Sequence, residues 1–130
     1  MSNSQTITPL LAYEDIEAAH DFLVAAFGFA PGRLDRDGDG HVVHGEVETG
    51  NGSIWLHRVS GEHALAPPGP GGTAGGGIVV TVDDVDAHHE RARAAGARID
   101  SPPTDQFYGR REYGARDPEG HRWWVGTPIS

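Results

Sequence analysis

Aromatic and guanidinium side chains are concentrated near the end of the 130-residue chain. They flank Asp117-Pro118-Glu119-Gly120, which has Pro at the second position and Gly at the fourth and so predicts a tight turn between two strands. The flanking residues of this type are Arg111, Tyr113, Arg122, Trp123 and Trp124. Because aromatic rings stack on flat groups and guanidinium pairs with anions, this hairpin could hold a flat or an anionic small molecule.

A second set of candidate residues lies in the predicted preceding hairpin. If its strands turn about Gly50-Asn51, cross-strand partners have position numbers with a constant sum. That sum places His44 opposite His57 and Glu46 opposite Trp55, and alternation puts all four on one face. His44, Glu46 and His57 could then form a metal site of two imidazoles and one carboxylate. They could equally act as an acid and base in proton transfer, or hydrogen-bond a ligand or water in a wet cleft.

A third motif has the spelling of a calcium-binding loop. Asp35, Asp37 and Asp39 occupy its first, third and fifth positions, Gly40 the sixth and Glu46 the twelfth. Such a loop joins two helices, whereas the residues on both sides of this one read as strands. Asp-Gly repeats between strands are also typical of tight hairpin turns. We therefore interpret the segment as a turn, with calcium binding as the alternative.

Composition limits the class of protein. The chain is long enough for one domain with a single core, and it contains no cysteine for disulfides or thiolate chemistry. Its net charge of -9 repels phosphate backbones and argues against a nucleic-acid partner. The first residues lack the basic and apolar regions of a signal peptide, and no apolar run reaches membrane-spanning length. We expect a cytoplasmic protein that does not bind membranes.

We predict a single domain over residues 1–130. Within it, the same order of strands and helix occurs twice. A first βαβββ module covers residues 6–59, a Pro/Gly-rich connector covers 60–76, and a second βαβββ module covers 77–128. The second module is predicted to contain a short strand at residues 98–101, followed by a loop. Matching positions lie 69 residues apart, and they include the pairs Asp15 with Asp84 and Trp55 with Trp124.

Such a repeat, with the closing segment Tyr108 to Trp123, resembles the vicinal oxygen chelate superfamily, which includes glyoxalase I, bleomycin resistance proteins and extradiol dioxygenases. The resemblance covers Thr6 to Pro128 and is strongest to the glyoxalase-like and bleomycin-resistance-like group. It implies an α+β fold in which two tandem βαβββ modules form a curved mixed sheet with a concave cleft. It also implies a homodimer, and leaves open whether modules pair within or across chains.

Metal-dependent members of that superfamily carry a ligand on the first and last strand of each module. The resemblance places these four slots at Thr8, Trp55, Gly77 and Trp124. Indole and glycine offer no coordinating side chain for a divalent metal, so we expect no metal cofactor in these slots. The two tryptophans either form aromatic walls for a ligand or fill the space of a lost metal site.

These observations favour a metal-free binding protein that sequesters or carries a planar aromatic compound, as in antibiotic resistance. We expect the compound to lie between Trp55 and Trp124, with Arg111 and Tyr113 helping to hold it. The segment Phe107-Tyr108-Gly109 is expected to form a mobile lip over it.

The alternative is an enzyme with isomerase, lyase or dioxygenase-like chemistry. In that case His44, Glu46 and His57 would be either ligands of a divalent metal or acid and base groups.

Overall fold

Each half of the chain folds into one helix and one four-stranded mixed sheet. The computed structural model describes residues 5–129, and the chain divides into two compact units, residues 1–67 and 68–130. The boundary lies inside the predicted connector of residues 60–76. No helix within residues 5–129 has the length and apolar character needed to cross a bilayer.

The first unit has the element order βαβββ. Its elements are β1 (Leu10–Tyr13), α1 (Ile16–Phe27), β2 (Ala30–Arg36), β3 (Val42–Glu48) and β4 (Ser53–Arg58). The strand order in the sheet is β1-β4-β3-β2, in which β1 is parallel to β4 and the other pairs are antiparallel.

The second unit repeats this order. Its elements are β5 (Gly77–Thr81), α2 (Val85–Ala94), β6 (Arg98–Gln106), β7 (Arg110–Arg116) and β8 (Arg122–Pro128). The strand order is β5-β8-β7-β6, again with one parallel pair, β5 with β8. The predicted α+β fold of two tandem βαβββ modules is therefore confirmed.

Both helices begin at an aspartate, as the repeat predicts. The Asp15 carboxylate accepts a hydrogen bond from the N–H of Ala18, and Asp84 accepts one from Ala87. Each cap satisfies a backbone donor that the first helical turn leaves unpaired. Helix α1 ends at Gly28, whose φ of 78° is the left-handed conformation that glycine adopts without steric cost.

Each helix covers one face of its sheet. In the first unit, Leu23 of α1 and Leu56 of β4 are among the fully buried core residues. In the second unit, Trp123 and Val125 of β8 take the same role beside α2. Since side chains alternate along a strand, the residues between these core positions point to the opposite face, which we call the helix-free face.

Strand β6 differs from the sequence prediction. The sequence predicts a short strand over residues 98–101 followed by a loop, but the strand continues to Gln106. This prediction is wrong because β6 is an edge strand, where a missing N–H costs no ladder bond on the open side. Pro102-Pro103 is accommodated by a shift of register between Ser101 and Thr104.

Candidate functional site

The register predicted for the first hairpin is confirmed. His44 pairs with His57 across β3 and β4, and Glu46 pairs with Trp55. The residue between the pairs, Gly45, lies on the other face, where a Cβ would be 2.8 Å from a methyl carbon of Ile16 in α1. His44, Glu46, Trp55 and His57 therefore share the helix-free face of the first sheet.

His44 and Glu46 form a hydrogen-bonded pair on this face. His44 Nε2 lies 2.8 Å from Glu46 Oε2, and the side chains are 25% and 18% exposed. The imidazole edge also meets the Trp55 ring, with centroids 5.5 Å apart and planes at 79°. A carboxylate acceptor at Nε2 orients the ring and leaves Nδ1 as the nitrogen that can take a proton. The pair is thus arranged for acid–base chemistry beside an aromatic ring.

His57 is turned away from this pair. Its Nδ1 is bonded to the carbonyl oxygen of Arg58 at 2.7 Å. Within residues 5–129, the group of three whose ligand atoms all lie within 4.8 Å of one another is Asp37, Asp39 and His41, not His44, Glu46 and His57. The alternative prediction of a metal site formed by His44, Glu46 and His57 does not fit this arrangement.

Asp37 and its neighbours are held together by the geometry of a hairpin turn. Asp37 Oδ1 accepts the N–H groups of Asp39 at 2.9 Å and His41 at 3.0 Å. The hydrogen bond from the His41 N–H is the main reason that the pKa of Asp37 lies below its usual value. Gly40 adopts a φ of 85° within the same turn. An exposed acidic cluster of this kind is explained by the turn itself.

The turn between β7 and β8 has the same construction. Asp117 Oδ1 accepts the N–H groups of Glu119 and His121, both at 3.1 Å, and Gly120 has a φ of 92°. The residues from Asp35 that match the calcium-loop pattern therefore contain a hairpin turn of the same type as the turn at Asp117. The twelfth residue of the motif, Glu46, lies in β3 and bonds to His44.

Trp55 lies beside an exposed aliphatic side chain on the helix-free face. Leu10 of β1 is its partner in the parallel pair of strands. Trp55 is 40% exposed and Leu10 is 38% exposed. Two adjacent large apolar groups are thus left uncovered by the fold of this unit.

Trp124 lies across three strands of the second sheet. A Cβ at Gly77 of β5 would be 2.3 Å from Trp124 Cζ3. A Cβ at Gly114 of β7 would be 3.5 Å from Trp124 Nε1. The indole therefore lies where a side chain at Gly77 would displace it, and within ordinary van der Waals distance of a Cβ at Gly114 on the other side of β8.

Trp124 has an apolar neighbour on β5, Val79, and a cationic neighbour on its own strand, Arg122. Val79 of β5 pairs directly with Trp124 and is 65% exposed. The Cζ atom of Arg122 lies 5.8 Å from the Trp124 ring centroid, near the outer limit of a cation–π contact.

Tyr113 and Arg111 do not lie on this face, and their predicted role in holding a ligand is corrected here. Tyr113 is fully buried and shares a 2.6 Å hydrogen bond with Nδ1 of His88 in α2. Burial raises the pKa of Tyr113 well above its usual value. Arg111 pairs with Asp86 of α2 at 3.0 Å and with Asp105 at 3.1 Å, which raises its pKa. Both side chains lie on the helix side of the sheet and connect β7 to α2.

Arg110 and Glu112 take their place on the helix-free face, and the sequence interpretation missed them. Arg110 Nε lies 3.0 Å from Glu112 Oε2, with the side chains 16% and 12% exposed. Arg110 passes over Gly126, where a Cβ would be 2.5 Å from its Nε, and donates to the Val80 carbonyl oxygen. The constant-sum rule, applied to a turn centred on Pro118-Glu119, places Tyr113 opposite Trp124. The connection of residues 117–121 is one residue longer than that turn, so Gly114 stands opposite Trp124 and Glu112 shares its face.

The predicted lip lies at the tip of the β6–β7 hairpin. Phe107 is 98% exposed and Tyr108 is 55% exposed, with their rings edge to face at 5.2 Å. Gly109 closes the turn with a φ of 85° and an N–H bonded to the Gln106 carbonyl oxygen. The Tyr108 hydroxyl also bonds to Glu112. These contacts join the loop to the helix-free face, and its movement stays a prediction.

The four slots that the resemblance assigns to metal ligands do not fit a metal. Trp55 and Trp124 present indole rings, and Gly77 has no side chain. The Trp124 ring also occupies the space that a ligand side chain at position 77 would need. Thr8 is the remaining slot, and one hydroxyl does not make a coordination site.

Comparison with known proteins identifies a family. The sequence model of the Glyoxalase/Bleomycin resistance protein/Dioxygenase superfamily matches residues 6–125. An uncharacterized protein of Mycobacterium tuberculosis strain H37Rv is 33% identical over 132 aligned positions, covering 95% of this chain and 74% of that protein. A similar uncharacterized protein of Mycobacterium bovis is also 33% identical.

Solved structures agree with this match. TioX from Micromonospora sp. ML1 has a TM-score of 0.77 and 33% identity, covering 97% of this chain and 100% of TioX. A glyoxalase/bleomycin resistance protein/dioxygenase from Nocardioides has a TM-score of 0.67 and 25% identity, covering 100% of this chain and 87% of its own.

Proposed function

Because the chain belongs to the Glyoxalase/Bleomycin resistance protein/Dioxygenase superfamily, we propose that it is a metal-free protein that binds, and so sequesters or carries, a planar aromatic compound. The observation that carries this proposal is the matched pairing of an exposed aliphatic residue with a tryptophan on both helix-free faces. These pairs are Leu10 with Trp55 and Val79 with Trp124.

The exposed apolar atoms are not needed by the fold of either unit. Each core lies on the helix side, where Leu56 and Val125 are fully buried. Trp55 and Val79 nevertheless keep 40% and 65% of their surface exposed. Covering such surface with a ligand contributes about 25 cal/mol for each Å² buried. A ligand that covers these residues therefore gains affinity without disturbing the core.

The shape of the second face suits a flat ligand. The Trp124 indole lies against the sheet at Gly77, so its other face points away from the sheet, where the Arg122 guanidinium carbon is 5.8 Å from the ring centroid. Offset stacking on such a ring adds about 0.5–1.5 kcal/mol beyond area burial.

Calorimetry tests the proposal with probes that differ only in flatness. We expect 2-naphthol to bind and its saturated analogue 2-decalinol to bind about two- to tenfold more weakly, since only the former can stack. Trp55→Ala and Trp124→Ala should each weaken 2-naphthol binding. Phe22→Ala, an aromatic truncation on α1, is the control and should leave affinity unchanged. Equal affinity of 2-naphthol for wild type and both tryptophan variants would overturn the proposal.

A second function is favoured by one specific observation, the 2.8 Å contact between His44 and Glu46 beside Trp55. This pair could move a proton on a bound ligand in an isomerase or lyase reaction. Each probe that binds would be incubated with the protein and followed by NMR. Conversion that His44→Gln and Glu46→Gln abolish without loss of binding, and that His57→Gln retains, would establish an enzyme. Binding without conversion of any probe would favour the function of a binding protein over that of an enzyme.

The oligomeric state and biological role are also proposals. The family resemblance implies a homodimer, which sedimentation velocity at several concentrations would reveal as twice the 13.8 kDa chain mass. A monomer at all concentrations would contradict it. A resistance role predicts that cells expressing the protein tolerate a planar antibiotic better than cells expressing Trp124→Ala.

A further inference from the structure

Three arginines of the second unit converge on one carboxylate. Asp100 lies 3.0 Å from Arg116 Nε, 3.4 Å from an Arg122 nitrogen and 3.8 Å from Arg98 Nε. Arg116 and Arg122 are direct cross-strand partners on β7 and β8. Within residues 5–129, the ion pairs of all three arginines go to Asp100, so one negative charge faces three positive charges.

This arrangement leaves positive charge uncompensated in a protein whose net charge is -9. Like charges directly opposite each other in a sheet are destabilising. Arg98 and Arg116 also donate to the Pro70 carbonyl oxygen, at 3.2 and 3.0 Å, but that acceptor is neutral. An additional anion at this cluster would therefore lower the repulsion between Arg116 and Arg122.

The cluster adjoins the Trp124 indole. Arg122 and Trp124 are two residues apart on β8 and so lie on the same face. The Arg122 guanidinium carbon is 5.8 Å from the centroid of the Trp124 ring. The side chains of Arg122 and Arg116 are 28% and 18% exposed, which keeps them accessible while weakening competition from water. A ring stacked at Trp124 would thus carry its substituents toward guanidinium groups.

We infer that the ligand class of the Trp124 face is a planar aromatic carboxylate, whose ring stacks on Trp124 and whose carboxylate pairs with Arg122 and Arg116. This inference rests on the proposed binding function and adds the charge of the ligand. Guanidinium presents donors in a planar fork that matches a carboxylate, which makes such pairs stronger than neutral hydrogen bonds.

The test compares two probes of the same shape and different charge. 2-Naphthoate is anionic at neutral pH, whereas 2-naphthamide is neutral. We expect calorimetry on the wild-type protein to show naphthoate binding about tenfold tighter, because hydrogen bonds to charged groups exceed neutral ones. That preference should decrease as salt is added, since exposed charge pairs are screened.

Two variants change the charge of the cluster in opposite directions. Arg122→Gln should reduce the preference for naphthoate to about twofold or less, because it removes a positive charge that attracts only the anionic probe. Asp100→Asn removes the competing carboxylate and should increase the preference. Arg93→Gln, at a surface arginine that pairs with Glu90, is the control and should leave the preference unchanged.

The outcomes separate this inference from the function on which it rests. If both probes bind equally and Arg122→Gln and Asp100→Asn change nothing, the charge assignment is overturned and the aromatic binding function stands. If neither probe binds, or Trp124→Ala leaves their affinities unchanged, the binding function at this face fails as well. A melting-temperature measurement on each variant identifies loss of folding. If Arg122→Gln is unfolded, the probe preference of Asp100→Asn tests the charge assignment in its place.

Discussion

The Trp124 indole occupies the space that a side chain at Gly77 would need, since a Cβ there would be 2.3 Å from Trp124 Cζ3. The family resemblance assigns both positions to metal ligands in the second module. Here the ring of one residue lies over the bare backbone of the other. Neither position therefore offers a metal ligand on this sheet.

Gly77→Ala should displace the Trp124 indole. The added methyl group cannot coexist with the indole at its present position, so the ring must tilt or leave the sheet. We expect a changed near-ultraviolet circular dichroism spectrum and an affinity for 2-naphthol reduced by about two- to tenfold, because stacking depends on ring orientation.

Gly76→Ala is the matched control for this change. A Cβ at Gly76 meets no atom within 4 Å, although the residue is adjacent in the chain. The spectrum and affinity of this variant should equal those of the wild type. An unperturbed spectrum and unchanged affinity in Gly77→Ala would contradict the described position of Trp124.

Tyr113→Phe should reduce stability and leave ligand affinity unchanged. The hydroxyl bonds to His88 at 2.6 Å on the helix side, so its loss costs about 1 kcal/mol of unfolding free energy. Chemical denaturation measures this cost, and 2-naphthol titration measures affinity. A loss of affinity at unchanged stability would restore Tyr113 to the ligand site.

The same tyrosine predicts a loss of stability at high pH. Burial raises the pKa of Tyr113 in the folded protein above its unfolded value of about 10. Above pH 10 the unfolded chain releases this proton while the folded protein keeps it, so the unfolding free energy falls by about 1.4 kcal/mol per pH unit for each such group. Denaturation curves from pH 8 to 11 should be less steeply pH-dependent in Tyr113→Phe. Equal pH dependence in both proteins would contradict the assignment.

The aspartates of the two hairpin turns should contribute differently to the free energy of unfolding. Asp117 is buried, accepts the N–H groups of Glu119 and His121, and also accepts the indole N–H of Trp123 at 3.1 Å. Asp117→Ala should cost about 2 kcal/mol of unfolding free energy because it leaves buried donors unpaired. Asp37→Ala, in the exposed turn, should cost less. Comparable losses in both variants would contradict this difference.

Adding calcium discriminates the turn interpretation from the alternative. Because Asp37 already accepts two backbone N–H groups and Glu46 bonds to His44, we expect no change in melting temperature with calcium. A rise that Asp37→Ala cancels would support a calcium-binding loop.

Much of the first sheet could be predicted from the sequence because its turn fixes its register. Once Gly50-Asn51 was placed at the bend, the pairs His44 with His57 and Glu46 with Trp55 followed from alternation. What could not be predicted was the orientation of side chains within the face. His57 bonds to the Arg58 carbonyl oxygen instead of facing Glu46, and alternation does not determine rotamers.

The second sheet is harder to predict because its β7–β8 connection is one residue longer than the turn that Asp117-Pro118-Glu119-Gly120 indicates. A turn centred on Pro118-Glu119 would place Tyr113 and Arg111 on the Trp124 face. Trp124 instead pairs with Gly114, which places odd-numbered residues of β7 on the helix side. The repeat also has unequal turns: residues 49–52 join β3 to β4, whereas residues 117–121 join β7 to β8. Consequently Gly114 stands opposite Trp124 where Glu46 stands opposite Trp55.

The central claim is metal-independent binding of a planar ligand at the tryptophan faces, and one calorimetric titration tests it most directly. 2-Naphthol would be titrated into the purified protein before and after chelation, with metal content measured by elemental mass spectrometry, and into the Trp55→Ala/Trp124→Ala double variant. We expect equal affinity before and after chelation, and loss of binding in a double variant that remains folded. Binding that disappears on chelation and returns with a divalent metal, or that persists in the double variant, would contradict it.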